Sequence, residues 1–268
     1  MTSAKNPLWR FPGLQAIIWV FFAFLYVPIL VLVALSFNKN DVATLWTGFT
    51  LDWYRVVLEN ANIVRAAQNS LIVALSATVV STVIATAAAL GMAGQRFKGQ
   101  NAFNALVGLP LLVPEIVTAV ASLLFFLSLG IPLSLFTVII AHIVFCTPFA
   151  YLPIRARLEG LDPRLAEAAA DLYSSPFRTF WRVTLPLLLP GILSGAMLAF
   201  IISLDDFVIT FFVAGAGATT LPVYIFGMIR VGITPEVNAV SSLLLLLSIV
   251  IVTLSYFLGQ RTANSHTG

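Results

Sequence analysis

The sequence predicts an all-α, polytopic membrane protein, and two observations support this prediction. Hydrophobic residues make up 60% of the 268 residues and charged residues only 9%, whereas about 25% of the residues in a typical soluble domain are charged. The apolar residues also form six long runs, and a helix of about 20 such residues is long enough to cross the hydrocarbon core of a bilayer. We therefore expect six transmembrane helices in one domain that covers residues 1–268.

The six predicted spans are separated by polar segments or by tight turns. They cover residues 14–35, 69–94, 103–129, 134–153, 187–213 and 236–258. The first run exceeds the roughly 7–15 apolar residues of a signal peptide, so we interpret it as a retained helix. The second is rich in Ala, Ser and Thr, and we expect it inside the helix bundle because small side chains allow close packing in lipid. Pro110 and Pro114 interrupt the third run, and residues 221–235 are typical of a short re-entrant or surface helix.

Lysine and arginine are distributed unevenly between the two sides of the membrane. With the N-terminus in the cytoplasm, ten of the fourteen Lys and Arg residues lie in cytoplasmic segments. Because cytoplasmic loops carry an excess of Lys and Arg, this bias places both termini and residues 154–186 in the cytoplasm. We attribute the net charge of +3 to this bias and expect no nucleic-acid partner.

The connection between the fourth and fifth spans, residues 154–186, is polar and basic. Its charges include Arg164 and Glu167, and each charge at the bilayer centre costs about 2.5–3.5 kcal/mol on insertion scales. The connection therefore lies outside the lipid. Two local patterns, Asp162-Pro163 and Ser175-Pro176, each combine an N-cap residue with proline at the first helical position. They predict two short helices joined by a sharp turn.

Within this connection, Glu167-Ala168-Ala169 is followed, at a fixed spacing, by Val183, Leu185 and Pro186. The segment resembles the EAA loop of ABC-importer permeases, whose pattern is Glu-Ala-Ala, three residues, Gly, nine residues and Ile-x-Leu-Pro. Tyr173 stands where that pattern has glycine, and tyrosine lacks the backbone freedom that glycine would give the turn. The alternative is an ordinary alanine-rich loop helix.

The resemblance implies the six-span fold of type I ABC-importer permeases, in which this loop forms a coupling helix seated on a separate ATPase. Apolar residues at helical spacing would form the docking face, and charged residues beside them would meet polar groups of the ATPase. The candidate ATPase-coupling residues are Arg164, Leu165, Glu167, Ala168, Ala169, Leu172 and Tyr173.

Three acidic residues, Glu115, Asp205 and Asp206, lie inside predicted spans, and no Lys or Arg falls in the same runs. Because unpaired charges in lipid are costly, these acids are expected to face the bundle interior or a water-filled path. A path lined by negative charge attracts cations, so the three are the candidate substrate-path residues. The alternative is structural: Asp205 or Asp206 caps a helix after a kink, with help from Ser203, and Glu115 begins a helix after Pro114.

Further similarity surrounds these acids. Segments 109–116, 203–209, 215–222 and 235–239 look like the polyamine branch of these permeases, the spermidine/putrescine importers, and most closely like the second of their two permease subunits. The resemblance implies a bacterial cytoplasmic-membrane protein that works with a second related permease, an ATPase homodimer and an extracytoplasmic polyamine-binding protein. No phosphate-binding GxxxxGK[ST] motif occurs, so we expect ATP on the ATPase and no cofactor on this chain.

Other functions compete with this interpretation. The same machine carrying an organophosphonate or ferric ion is one alternative, although acids in the path disfavour a bare anion and permit a metal. A proton-coupled secondary transporter would use the acids as a relay, and it predicts an inverted repeat that the sequence does not convincingly show. A membrane-embedded enzyme is disfavoured because the sequence contains no clustered Ser/His/Asp set and too few histidines for a metal cluster.

Overall fold

The computed structural model describes residues 13–42, 45–93, 98–162 and 164–264. Over these ranges the chain is helical, apart from turns and one isolated bridge between Asn38 and Phe49. The helices are α1 (Leu14–Leu35), α2 (Asp52–Glu59), α3 (Ala61–Met92), α4 (Gln100–Leu112), α5 (Glu115–Ser128), α6 (Leu135–Glu159), α7 (Arg164–Asp171), α8 (Pro176–Thr179), α9 (Leu185–Asp205), α10 (Val208–Val213), α11 (Leu221–Val231) and α12 (Pro235–Asn264). A π-helical segment, Phe180–Thr184, joins α8 to α9. The predicted all-α fold is confirmed.

Five of the described helical stretches are long and apolar enough to cross a membrane. They are Leu14–Leu35, Ala61–Met92, Leu135–Glu159, Pro176–Asp205 and Pro235–Thr253. A sixth span results if α4 and α5 are taken together, although the two are bent by 107° at their junction. The bend falls at Val113 and Pro114, because proline has no N–H to donate and disfavours a helical backbone in the residue before it. Val113 is accordingly extended, with ψ 132°.

The fifth predicted span also contains a break, between α9 and α10. Asp206 follows the last residue of α9 with an extended backbone, ψ 127°, and α10 begins at Val208. No proline or glycine lies at this position, so local helix propensity alone favours a continuous span. The break depends on side-chain contacts from another helix, described below.

The second predicted span begins earlier than expected, at Ala61 rather than at residue 69. The reason is a helix cap, because the side chain of Asn60 accepts a hydrogen bond from Asn62 N at 3.1 Å. Many of the buried residues of α3 are small, among them Ala74, Ala77 and Ala85. One face of this helix lies inside the bundle, as expected, while apolar residues elsewhere on it, such as Leu75 and Val83, are exposed.

Packing divides the chain into two units, Met1–Glu59 with Met228–Leu245 and Asn60–Gly227 with Leu246–Gly268. In the first unit, α1 is apolar along its length and has no buried residue, so its surface is available to lipid or to another chain. The turn after α1 is organised by Asn38, whose buried side chain donates to the Leu45 carbonyl at 2.8 Å and accepts from Thr47 N at 3.1 Å.

The second unit is built on α3, α6 and α9, which pack against one another. Glycines on α9 allow a close approach to α6. A Cβ atom on Gly195 would lie 2.5 Å from the Ala150 carbonyl oxygen, and one on Gly191 would lie 2.5 Å from Arg157 Cβ. Beside these helices α5 packs against α10, so the two broken spans meet.

Candidate functional site

The three acids of the membrane spans lie at the two helix breaks. Glu115 is the first residue of α5, Asp205 is the last residue of α9, and Asp206 lies between α9 and α10. Because α5 packs against α10, the breaks bring the acids together. The carboxyl groups of Glu115 and Asp206 are close enough for a hydrogen bond, and the Asp205 carboxyl is close enough to interact electrostatically with both. We call Glu115, Asp205 and Asp206 the acid cluster.

Asp206 is the buried member of the cluster, and it caps α10. Its Oδ1 accepts from Ile209 N at 3.2 Å, and its Oδ2 accepts from Thr210 N and from the Thr210 hydroxyl, each at 2.9 Å. These bonds satisfy N–H groups that the first turn of a helix leaves without intrahelical partners. The capping role that the sequence left open between two aspartates therefore falls to Asp206.

His142, on α6, also contacts the break between α9 and α10. Its Nε2 lies 3.1 Å from Asp206 Oδ2 and 2.9 Å from Thr210 Oγ1, and its Nδ1 lies 2.8 Å from Ser203 Oγ. Because the Thr210 hydroxyl donates to Asp206, its oxygen is left to accept from Nε2–H. In the neutral ring Nδ1 then accepts from the Ser203 hydroxyl. Both ring nitrogens are engaged, and the imidazole connects α6, α9 and α10.

Sequence reasoning missed His142, which it treated only as an insufficient metal ligand. The available signal was its position in the middle of an apolar run, because a polar side chain in a membrane span needs a partner. Ser203 does contribute at the break, as expected, but through His142 rather than by capping a helix itself.

The other two acids are more accessible. Asp205 is exposed and Glu115 is half-buried, whereas Asp206 is buried. Next to Glu115 along α5, an open apolar groove of about 390 Å³ is lined by Ile116, Val117, Val120, Ala121 and Leu124. The arrangement offers two reachable carboxyl groups beside an apolar surface, with a third carboxyl immobilised by its own hydrogen bonds. Such a site suits a cation that also carries a hydrocarbon segment.

The residues predicted to couple to an ATPase lie on α7 and at its C-terminal end. The N-terminus of α7 is capped by Asp162, whose Oδ1 accepts from Arg164 N at 2.9 Å. Pro163, predicted at the first helical position, lies outside the described residues. Ser175 caps α8, with Pro176 at its N-terminus. The first short helix and the turn after it are present, but α8 is not a separate short helix, because it continues through the π-helical segment into α9 and Pro176–Asp205 forms one stretch of 30 residues.

Tyr173 ends α7 in the conformation that glycine usually adopts. Its φ is 58°, and Ser174 N donates to the Ala169 carbonyl at 3.0 Å while Tyr173 N donates to the Ala170 carbonyl at 2.9 Å. This is the left-handed C-terminal turn that glycine normally supplies. The departure from the EAA pattern therefore leaves the turn in place, at a conformational cost of about 1–2 kcal/mol for a non-glycine residue.

The apolar side of α7 is not covered by the rest of this chain. Leu165 and Leu172 are 45% and 83% exposed, Ala168 is exposed, and Ala169 is half-buried. Arg164 and Glu167 are also exposed. The seven candidate coupling residues therefore lie together on one short helix and its end, largely open to solvent or to a partner.

A single helix connects the two candidate regions. The chain runs from α7 through α8 and the π-helical segment into α9, which ends at Asp205 after 21 residues, a length of about 31 Å. At its start α9 is tied to α6, because Arg157 Nε donates to the Leu187 carbonyl at 2.9 Å. The structure thus keeps the acid cluster, at the C-terminal end of α9, apart from the coupling residues, which precede its N-terminal end in the chain.

Comparison with known proteins identifies the family of this chain. Residues 81–264 match the family model described as "Binding-protein-dependent transport system inner membrane component". The spermidine/putrescine transport system permease protein PotC of Haemophilus influenzae is 37% identical over 257 residues, which cover 96% of this chain and 99% of that protein. The putrescine transport system permease protein PotI of Escherichia coli is 39% identical over 246 residues, covering 89% of this chain and 88% of PotI.

Solved structures show the same fold at lower identity. A chain of a bacterial ABC transporter that imports the acidic polysaccharide alginate superposes with a TM-score of 0.69 at 17% identity, covering 97% of this chain and 98% of its own. A chain of the MetNI methionine ABC transporter superposes with a TM-score of 0.64 at 21% identity, over 74% of this chain and 95% of its own. With its membrane-spanning helices, its match over residues 81–264 and its near full-length relatives, this chain belongs to the family of binding-protein-dependent transport system inner membrane components and is a multi-pass permease subunit of an ABC importer.

Proposed function

We propose that this permease carries polyamines into the cell and that the acid cluster receives their ammonium groups. The observation that carries the proposal is the pair of reachable carboxyl groups, Glu115 and Asp205, at the junction of two broken spans. The relatives that cover nearly the whole chain are named for spermidine and putrescine transport. An anionic site for a cationic solute agrees with those names, whereas it would repel a bare anion such as a phosphonate.

The three acids have two different roles in this proposal. Asp205 and Glu115 are the groups that contact substrate, and Asp206 is a positioning residue because its oxygens already accept three hydrogen bonds. Two carboxylates so close together repel one another. A passing ammonium group offsets this repulsion at Glu115, and the adjacent apolar groove on α5 accommodates the methylene chain between ammonium groups.

The work of transport comes from a separate ATPase homodimer that binds ATP, with α7 as the coupling helix. The exposed apolar residues of α7 seat in a groove of one ATPase protomer, and Arg164 and Glu167 meet polar groups at its rim. Closure of the ATPase then moves α7, and α9 transmits that movement to Asp205. During the cycle the path opens alternately to the outside and to the cytoplasm, because one of these two conformations is stabilised at a time.

The complete transporter contains further chains. A second, related permease completes the path opposite the acid cluster, and an extracytoplasmic polyamine-binding protein delivers the substrate and makes most of the selection. The excess of Lys and Arg in the segments that include residues 154–186 supports an orientation with both termini and α7 in the cytoplasm, where ATP is available.

The test is ATP-dependent uptake of labelled spermidine into proteoliposomes that contain the complete complex. We expect competition by unlabelled putrescine and spermidine and none by an organophosphonate or by ferric ion. In the same assay Asp205→Asn lowers uptake, while the control Asp41→Asn, an exposed acid in the turn after α1, does not. Absence of spermidine uptake by an intact complex that hydrolyses ATP would reject the polyamine assignment and leave the importer family unaffected.

A further inference from the structure

Tyr173 combines two properties that no contact within its own chain explains. It is the one non-glycine residue with positive φ among the described residues. Its side chain is 97% exposed, and neither a hydrogen bond nor a ring contact joins it to the described part of the chain. The helix-ending hydrogen bonds around it are made by backbone atoms, so glycine would keep the turn and remove the strain.

Exposed apolar side chains flank Tyr173 along the chain. Leu172 precedes it, and Phe177 on α8 is 74% exposed, with its ring 6.2 Å from the ring of Trp181, which is also exposed. We call Leu172, Tyr173, Phe177 and Trp181 the aromatic rim of the coupling loop. Several exposed apolar side chains in one short segment mark an interaction site more often than a single exposed residue does.

The charges beside the rim indicate what covers it. Glu167 and Asp171 on α7 precede Tyr173, while Arg178 and Arg182 follow it, and all four are exposed. An anionic lipid surface would attract the two arginines but repel the two acids. A protein groove that mixes apolar and polar groups accommodates both signs, and the rim is continuous with the α7 surface proposed to dock on the ATPase.

We propose that Tyr173 is an anchoring contact of the coupling loop: the left-handed turn projects its ring into an apolar pocket on the ATPase, next to the groove that receives α7. This inference rests on the proposed coupling role of α7. The retained strain is then offset in the assembled transporter by burial of the ring, since an aromatic side chain placed in a partner pocket is a typical interface anchor.

The experiment measures the affinity of the purified ATPase for the complete permease pair in lipid nanodiscs, with three variants. Tyr173→Gly removes both the ring and the strain, Tyr173→Asn removes the ring but tolerates a left-handed backbone, and Tyr173→Phe keeps the ring. We expect the Kd to rise roughly tenfold for the glycine and asparagine variants and to change little for the phenylalanine variant. Trp46→Gly, which removes an exposed aromatic residue outside the coupling loop, serves as the control.

The strain makes the outcome decisive, because relief of strain alone would leave ATPase binding unchanged or tighter in Tyr173→Gly. Either of those results overturns the inference, and so does unchanged affinity accompanied by altered quenching of a loop fluorophore by brominated lipid, which would assign the ring to the membrane surface. Glu167→Lys is measured in parallel. If it weakens binding and Tyr173→Gly does not, only the inference about Tyr173 fails. If neither variant changes the Kd, the coupling role of α7 fails as well.

Discussion

His142 Nε2 lies 3.1 Å from Asp206 Oδ2, and both side chains are at most 2% exposed. This contact joins the middle of α6 to the break between α9 and α10, and it distinguishes the two adjacent aspartates. Asp206 is held by the protein, while Asp205, one residue earlier, remains exposed. Of the two aspartates predicted to line the substrate path, Asp206 is therefore the one that supports the break between α9 and α10.

Removing the imidazole should destabilise the protein. In His142→Ala the Asp206 carboxyl loses a buried partner, as do the hydroxyl groups of Ser203 and Thr210. Leaving buried polar groups unpaired costs about 1–3 kcal/mol for each group. We expect a clearly lower Tm of the purified complex, measured by intrinsic fluorescence, and a smaller decrease for His142→Gln, which keeps hydrogen-bonding capacity. An unchanged Tm for the alanine variant would show that the contact does not contribute to the stability of the protein.

The two aspartates should respond differently to substitution. Asp205→Asn is expected to lower spermidine uptake with little change in Tm, because the side chain is exposed. Asp206→Ala is expected to lower the Tm, since loss of a helix cap costs about 0.5–2 kcal/mol and the buried His142 loses a partner. Uptake and Tm are measured on the same preparations. Equal effects of the two substitutions on both measurements would contradict the division of roles.

The close approach of α6 and α9 should be sensitive to side-chain size at one glycine. In Gly195→Leu the new side chain meets the Ala150 carbonyl oxygen, which would lie only 2.5 Å from the Cβ atom. Overpacking of this kind costs about 1–3 kcal/mol, so we expect a lower Tm and less assembled complex. Gly108→Leu is the matched control, because a Cβ atom at this helical glycine meets nothing within 4 Å. An equal loss for both variants would point to a general intolerance of leucine.

Charge reversal on the coupling helix should separate assembly from membrane insertion. Glu167→Lys places a cation on the exposed surface of α7, where we expect a polar contact with the ATPase. The variant should insert normally in the membrane. The amount of ATPase that copurifies with the permease on affinity purification should be lower than for the wild type. Asp41→Lys, at an exposed position outside the loop, provides the control. Undiminished recovery of the ATPase with wild-type uptake would contradict the assignment of α7.

Local sequence was sufficient to predict much of this protein. The apolar runs, the caps at Asp162 and Ser175, and the break at Pro114 all depend on residues within a few positions of the feature they produce. Hydropathy, cap hydrogen bonds and the missing proline N–H act over such short distances. The spacing around Glu167 is local in the same way, and it predicts a coupling role for the segment that forms α7.

Only the tertiary structure shows which aspartate caps α10 and which one stays exposed. Asp205 and Asp206 are neighbours of the same type, and no proline or glycine marks the break between them. Their difference arises from His142, which is 61 residues from Ser203 along the chain and 68 from Thr210, and from Glu115 at the other helix break. From hydropathy one can predict that a buried polar group needs a partner. Which residue becomes that partner depends on how α5, α6, α9 and α10 pack, and this packing is a long-range property of the folded chain.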